Sequence, residues 1–272
     1  IHTLRFWNDP SSFDATDVAI LYAIRNSLTS TLSLIKPAPD VIPSQDSYTA
    51  NYAWDFRESL TDFNSGETIA LTSTSLISGT GVTFDGSSDY ATVPNTVKVG
   101  GTSTFAVELY FTHTMPSGNR HFLDFYHANN RIIIRLDETG DLNIWTENSV
   151  IGDAKNIDVY KLNSGLTYHI VLAWTSSTSM DLYVNGSKVS SHSLDIISNT
   201  VIMSSQRIGV NQNTSGSKCP GTIHTLRFWN DPSSFSQTDV TMLYLNRNTL
   251  TSHLSPSVPT HTPHTHIPVS YT

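Results

Sequence analysis

Paired carboxylates are the first chemistry to look for on a β-strand, because two of them can share the acid and base roles of hydrolysis. A retaining hydrolase holds two carboxyl groups about 5 Å apart, and side chains two positions apart on a strand share one face. The predicted strand that starts at Phe105 carries only Glu108, and residues 142–145 carry no carboxylate. Three carboxylates between residues 137 and 141 flank a predicted turn. No Ser-His-Asp order, zinc-ligand spacing or phosphate-binding loop stands out, so we expect no enzymatic activity.

Asp85 and Asp89 are the acidic side chains best placed to bind a hard cation. Calcium prefers oxygen ligands such as carboxylates, and both residues lie around the predicted Gly-Ser turn within residues 81–93. Turn-forming aspartates, whose carboxylates accept hydrogen bonds from nearby backbone N–H groups, explain the same two residues equally well. A structural calcium is therefore one of two alternatives, and we expect no other cofactor.

Three residues are candidates for covalent modification or cross-linking. Cys219 is the only cysteine, so it is either a buried, inert thiol or, in a secreted array, a partner for a disulfide between neighbouring subunits. Asn185 and Asn213 each begin an Asn-X-Ser/Thr sequence that fits the N-glycosylation pattern. Both sites matter only in a secreted protein.

A long, near-identical repeat organises the chain. Residues 1–13 read IHTLRFWNDPSSF, and residues 223–235 read the same. The similarity continues through residues 30 and 252, and each copy predicts a strand, a turn and a short helix. We interpret the first copy as the closing part of a preceding domain, in a chain cut from a longer tandem array. The residues expected to form this assembly strand and turn are Ile1, Leu4, Phe6 and Trp7, with Ile223, Leu226, Phe228 and Trp229 as their twins.

Proline-rich stretches set the predicted domain boundaries. Proline at high density among Ser and Thr favours an extended spacer over a packed element. We therefore divide the chain into the last strand and helix of a preceding repeat (1–33), a first linker (34–49), one complete domain (50–254) and a second linker that leads to a further repeat (255–272).

Composition narrows the class of partner. The chain is 38% hydrophobic and only 14% charged, with a formal net charge of −8 and no basic run. This charge balance argues against nucleic acid as a partner. No apolar run approaches the roughly 18 residues that a membrane-spanning helix needs.

The central part of the chain predicts many short strands. Apolar and polar residues alternate over residues 105–111, 132–136, 168–174 and 223–229, with turn signals between the predicted strands. Asn185-Gly186 is a strong hairpin signal. Such a series is typical of a two-sheet sandwich or jelly roll, and a short helix is predicted from Thr238 to about Arg247.

Five motifs in this region resemble, in order, those of the laminin-G-like jelly roll of the concanavalin A-like lectin/glucanase superfamily. They are VTFDGSSDY at residues 82–90, similar to the family's opening hairpin, FAVELYF at 105–111, LTYHIVLAW at 166–174, DLYVNGSK at 181–188, and IG at 208–209 followed by GTIHTLRFW at 221–229. The resemblance implies an all-β fold of two antiparallel sheets, one concave, with adjacent first and last strands and a short C-terminal helix. Where the family often has an acidic calcium ligand in its last strand, this sequence has His224.

Two functions remain open at this point. The repeat favours an extracellular or cell-surface structural or adhesive protein, whose copies join head-to-tail into a filament, hair or sheath. The alternative is a lectin-like array that binds glycans, with a glycoside hydrolase disfavoured by the missing carboxylates. The aromatic candidates for a sugar platform are Trp145, Trp174, Tyr110, Tyr126 and Tyr183, which alternation also allows in the core.

The sequons generate a direct prediction. If the protein is secreted, we expect Asn185, Asn213 or both to carry an N-linked glycan in natural material, detected by mass spectrometry. Ser187→Ala and Ser215→Ala remove the hydroxyl residue that each sequon requires, so each should abolish the glycan at its own site. Two unmodified asparagines at full peptide coverage would contradict the secretory assignment.

Overall fold

The fold is a sandwich of fifteen described strands with one short helix. The computed structural model describes residues 50–114, 119–128, 130–148, 154–198, 202–213, 216–232 and 235–248. The strands are β1 (Tyr52–Asp55), β2 (Ala70–Thr72), β3 (Leu76–Ile77), β4 (Gly81–Asp85), β5 (Tyr90–Thr92), β6 (Phe105–His113), β7 (Arg120–His127), β8 (Asn130–Leu136), β9 (Asp141–Glu147), β10 (Ala154–Lys161), β11 (Thr167–Ser176), β12 (Ser179–Val184), β13 (Ser187–Ser193), β14 (Ser205–Ile208) and β15 (Pro220–Asn230), and the helix is α1 (Gln237–Leu245).

Two antiparallel sheets form the sandwich, as the sequence predicts. One sheet has eight strands in the order β13-β12-β11-β6-β15-β4-β3, with β1 also paired to β15. The other has seven, in the order β10-β9-β8-β7-β14-β5-β2. The all-β, two-sheet prediction is therefore confirmed, and so is the short C-terminal helix.

β15 is the strand that connects most of the eight-stranded sheet. Along one edge it pairs with β6, from Gly221 opposite His113 to Asn230 opposite Phe105. Along the other edge its first half pairs with β4 and its second half with β1. The first and last strands are thus adjacent, as the family resemblance implies, and the sheet depends on its last strand for continuity.

The core between the sheets is built on large aromatic side chains. Trp54, Phe105, Phe125 and Phe228 are all buried, and Phe228 contacts the other three rings at centroid distances of 5.6 to 6.3 Å. Such aromatic contacts add to the stabilisation from apolar burial. Leu226 and Phe228 of the expected closing strand are both buried in this core. Their twins Leu4 and Phe6, with Ile1 and Trp7, lie outside the described residues.

The predicted hairpin at residues 81–93 is wrong. β4 belongs to the eight-stranded sheet and β5 to the seven-stranded one, so the turn between them crosses from one sheet to the other. Asp85 organises this corner by accepting hydrogen bonds from the backbone N–H groups of Ser87, Ser88 and Asp89 at 2.7 to 3.0 Å. Two strands with alternating apolar and polar residues on either side of a Gly-Ser turn are equally compatible with a hairpin and with a corner between two sheets.

The Asn185-Gly186 hairpin is confirmed. It joins β12 to β13 through two residues with positive φ, 50° at Asn185 and 81° at Gly186, as a tight two-residue turn between antiparallel strands requires. The turn places Val184 opposite Ser187, and a bulge between Tyr183 and Leu182 then shifts the register of the two strands by one residue.

A second apolar cluster lies on the outer face of the eight-stranded sheet, under α1. Trp229 projects to this face and packs with Phe235, Val240 and Leu243. The helix starts slightly before the predicted Thr238: Ser236 caps it in a capping box with Asp239. This reciprocal pair satisfies backbone N–H groups at the helix start. The apolar side of α1 packs on Trp229 and covers this part of the sheet.

The close contact of β4 with β15 predicts a strong glycine requirement. Gly81 has φ +127°, and a Cβ there would lie 2.3 Å from the carbonyl oxygen of Ile223. We expect Gly81→Ala to lower the free energy of unfolding by about 3 kcal/mol, because strain and a backbone clash coincide. Gly66→Ala is the matched control: φ is also positive, +79°, but no atom lies within 4 Å of its Cβ position. Equal urea midpoints for the two variants would contradict the prediction.

Candidate functional site

Charged and aromatic side chains collect on the outer face of the seven-stranded sheet. In β8, Ile132, Ile134 and Leu136 face the core, so alternation turns the residues between them outward. The neighbouring strands follow in register, with Tyr126 opposite Arg131 and Arg135 opposite Asn143. We call this surface the arginine face, and its residues are Tyr90, Asp124, Tyr126, Arg131, Arg135, Asn143, Trp145 and Arg207.

A buried carboxylate anchors the arginine face. Arg131 donates from Nε and Nη2 to the two carboxylate oxygens of Asp124, at 2.9 and 2.7 Å. The backbone N–H of Gln212 donates to Asp124 at 2.9 Å, and His121 Nδ1 lies 3.3 Å from Oδ2. Burial alone would raise the pKa of Asp124, but His121 and Arg131 outweigh burial and hold that pKa below its ordinary value. The paired contact fixes the plane of the Arg131 guanidinium.

The guanidinium of Arg131 contacts two aromatic rings. Because β7 and β9 flank β8, Tyr126 and Trp145 lie on either side of Arg131, each with its ring centroid 5.4 Å from Cζ. Arg135 adds a second cation 5.7 Å from the Trp145 centroid. These distances are within the range of cation–π attraction. All four side chains are half-buried, so their outer edges remain open to solvent.

Polar contacts extend this surface in both directions. On one side, Arg135 donates to Asn143 at 2.8 Å, and Asn143 donates to Asp158 at 2.7 Å. On the other, Arg207 donates to Thr92 at 2.6 Å and lies 5.8 Å from the ring centroid of Tyr90. Burial and the nearby Arg131 lower the pKa of Arg135. The face therefore offers aromatic surface and oriented hydrogen-bonding groups to a polar ligand.

The opposite sheet buries a cluster of charged groups between the strands and α1. Glu108 in β6 accepts from Arg227 in β15 at 2.8 Å and contacts His169 Nε2 in β11 at 2.8 Å. All three residues are buried, and the ring of Tyr244 in α1 lies 5.7 Å from that of His169. Burial alone would raise the pKa of Glu108, but Arg227 and His169 together lower it to about 2.

This cluster leaves Glu108 unsuited to acid–base catalysis. Both its oxygens are engaged, and the carboxylate is shielded from solvent. A general acid or base must reach a substrate atom within hydrogen-bonding distance. The arrangement joins three neighbouring strands beneath α1 instead.

The candidate calcium ligands lie at the sheet-crossing corner. Asp85 accepts the hydrogen bonds of that turn, which hold its pKa well below the ordinary value, and Asp89 accepts from the N–H of Asp85 at 3.0 Å. These contacts support the turn-forming alternative. His224 binds the carbonyl of Thr80 through Nδ1 at 2.6 Å and Thr112 through Nε2 at 3.0 Å. Within the part of the chain that the structure describes, no group of three His, Cys, Asp or Glu side chains could hold a metal ion.

The modification candidates differ in accessibility. Cys219 is buried, and burial raises the pKa of its thiol, which favours the inert-thiol alternative over a disulfide between subunits. Asn185 and Asn213 are both exposed on turns. Asn185 accepts from the N–H of His169 through Oδ1, the oxygen to which a glycan would not be attached. Glycosylation at both positions stays a prediction.

The aromatic candidates separate into two groups. Trp174 and Tyr183 are buried, and Tyr110 contacts His224 at a centroid distance of 4.7 Å on the α1 side of the sandwich. Only Trp145 and Tyr126 meet on the arginine face. Their charged partners were not among the residues expected from the sequence, although a signal existed: Asp124 interrupts the apolar run of residues 122–126, and Arg131 and Arg135 flank the apolar run of residues 132–134.

The chain matches a known protein family whose fold agrees with the observed sandwich. A laminin-G family model, described as the concanavalin A-like lectin/glucanases superfamily, matches residues 85–241, more than half of the chain. No curated protein matches the chain. No helix within the described residues has the length and hydrophobicity that crossing a membrane requires.

Several solved structures share the fold at low identity. Domain 4 of AbnA, a GH43 extracellular arabinanase from Geobacillus stearothermophilus, solved in complex with arabinotriose, has a TM-score of 0.56 and 16% identity, over 72% of this chain and 98% of that one. The binding domain of botulinum neurotoxin serotype G has a TM-score of 0.55 and 13% identity, over 73% and 51%. The serotype D binding domain has a TM-score of 0.54 and 12% identity, over 73% and 52%.

The buried cluster predicts a pH-dependent stability. With the pKa of Glu108 lowered from 4.5 to about 2 in the folded chain, its stabilisation is complete above pH 4.5 and is lost as the pH falls towards 2. This shift corresponds to about 3 kcal/mol. The unfolding free energies of the wild-type chain and Glu108→Gln should therefore differ most above pH 5 and least near pH 2, in urea titrations. Glu138→Gln, at an exposed turn, is the control, and a pH-independent difference for Glu108→Gln would contradict the prediction.

Proposed function

This chain belongs to the concanavalin A-like lectin/glucanases superfamily, and we propose that it is an extracellular or cell-surface adhesion module that binds carbohydrate on its arginine face. The observation that carries this proposal is the contact of Arg131 with both Tyr126 and Trp145, while Asp124 fixes its guanidinium. The site is built before a ligand arrives, which reduces the ordering cost of binding.

The chemistry of the face suits a saccharide. A sugar ring has an apolar side that packs on an aromatic ring and hydroxyl groups that exchange hydrogen bonds with fixed polar partners. Trp145 and Tyr126 supply half-buried aromatic surface, and the half-buried guanidinium groups of Arg135 and Arg207 supply hydrogen-bond donors around it. Binding sites of this type combine apolar surface with a few oriented polar groups.

The solved neighbours support the same class of ligand. AbnA domain 4, whose own chain is covered almost completely, was solved with arabinotriose. The likeness in fold makes an oligosaccharide the first ligand to test, without specifying which sugar this chain takes.

We propose a binding role without hydrolysis. Glu108, the carboxylate on the central strand of the eight-stranded sheet, is covered and paired with Arg227 and His169. On the arginine face, Asp124 is committed to Arg131. Neither carboxylate has the access to substrate that acid or nucleophile chemistry needs.

A binding assay tests the main proposal. The full chain is applied to an array of neutral and acidic oligosaccharides, and the affinities of the strongest ligands are measured by calorimetry. We expect Trp145→Ala to weaken binding by about tenfold or more, since it removes one aromatic ring and its contacts with both arginines. Phe63→Ala is the control, because Phe63 is a 40% exposed aromatic residue outside the arginine face. Equal affinities for the Trp145→Ala variant and the wild-type chain would refute this site.

A structural role is the second candidate, favoured by the repeated closing segment. Residues 1–13 repeat residues 223–235 without a change, so copies of this module can share one contact pattern and join head-to-tail in a filament. Open, head-to-tail contacts propagate without closing. Electron microscopy of natural material without added glycan tests this candidate: ordered filaments with a regular repeat support it, and dispersed particles at every concentration argue against it.

A further inference from the structure

We propose that residues 1–26 are a second closing segment, which can occupy in another copy of this chain the slot that residues 223–248 occupy in their own. The inference rests on the structural role just described and specifies the contacts that would join two copies. By slot we mean the groove between β6 on one side and β1 and β4 on the other, together with the sheet surface under α1.

The slot places specific demands on any strand that enters it. A buried carboxylate, Glu108, needs a cation at the position of Arg227. Thr80 and Thr112 need a hydrogen-bonding ring at the position of His224. Leaving a buried charge without its partner is strongly destabilising, so a strand without these residues would be rejected.

Residues 1–26 carry the polar groups that the slot requires. Arg5 is the twin of Arg227, and His2 is the twin of His224. Asp9 is the twin of Asp231, whose carboxylate accepts from the backbone N–H groups of Thr102 and Ser103 at 2.6 and 3.0 Å. Each buried or capping polar contact named here has its counterpart at the same spacing.

The apolar groups match as well. Leu226 and Phe228 enter the core between the sheets, while Trp229 packs under α1. Their twins Leu4, Phe6 and Trp7 keep the same alternation, and Phe13, Val18 and Leu21 repeat the residues that join Trp229 in the outer cluster. The segment therefore carries the side chains of both faces of the strand, and those of the inner face of the helix.

The two segments differ where α1 meets the β12–β13 hairpin. Gln237 and Thr241 both donate to the carbonyl of Gly186, at 2.6 and 3.0 Å, and Gln237 accepts from the N–H of Lys188. Both residues are replaced by alanine in the first copy, at positions 15 and 19. The chain's own segment thus makes three hydrogen bonds that its rival lacks, and it holds the slot unless it is weakened.

The occupant we commit to is residues 1–26 of another copy, because residues 223–248 already fill the slot of their own body. Residues 223–248 continue directly from the body of their own chain, which gives them a high effective concentration at their own slot. When a closing segment of one copy is exchanged for that of another, the strand pairing in the slot is preserved, as in β-strand addition and domain swapping. The exchange links two copies through the strand pairing that already exists within one copy, so no additional interface is needed.

Weakening the chain's own segment tests the proposal in the full chain. Arg227→Glu places a second carboxylate beside Glu108, and leaves residues 1–26 unchanged as a competitor. We expect this variant to form folded oligomers, with a mean mass by light scattering that rises about two-fold or more with concentration. In Arg5→Glu/Arg227→Glu neither segment can pair with Glu108, so this matched variant should form no such oligomers and should melt at a lower temperature.

Each outcome of this experiment supports or overturns the exchange of residues 1–26 between copies. A concentration-dependent mass that requires Arg5 supports exchange between copies. Rescue of the melting temperature in a monomer would show that residues 1–26 close their own body, and overturns the proposal. Identical behaviour of the single and double variants overturns it too. Filaments of natural material together with identical variants would leave the structural role standing and reject only this mode of contact.

Discussion

The pairing of Glu108 with Arg227 is the interaction on which the rest of this structure depends. It lies on the central strand pair of the eight-stranded sheet, with His169 on the next strand completing the cluster. Because the carboxylate is buried, the strand that pairs with β6 needs a cationic side chain at the register position opposite Glu108. The apolar pattern of β15 specifies which face is inside, and the ion pair adds a requirement for a cation at the position of Arg227.

The two outer faces of the sandwich differ in how far they are covered. On the eight-stranded sheet, α1 covers the charged groups and packs against Trp229, so that face is closed by the chain itself. On the seven-stranded sheet, Arg131, Tyr126 and Trp145 are only half-buried. A long arginine side chain on a sheet surface loses conformational entropy when it is fixed in one position. Here the two hydrogen bonds to the buried Asp124 hold Arg131 between the two aromatic rings.

Local patterns predicted most of the fold. Alternation located many of the strands, and Asn185-Gly186 specified a hairpin. The family resemblance, and not a local pattern, implied that the last strand lies beside the first. The error at residues 81–93 arose because a turn reverses the chain whether or not the flanking strands share a sheet. Only the pairing of β4 with β15 and of β5 with β14 distinguishes the two cases.

The sequence by itself determined the all-β class, the motifs of the family and the duplication of the closing segment, because these are properties of spacing along one chain. Only the tertiary structure decided which distant residues meet. Arg227 finds Glu108, and Trp145 and Tyr126 find Arg131, across strands whose order in the sheet differs from their order in the chain. Alternation specifies the face to which a side chain projects, but its neighbour on that face is specified by strand order and register, which are long-range properties.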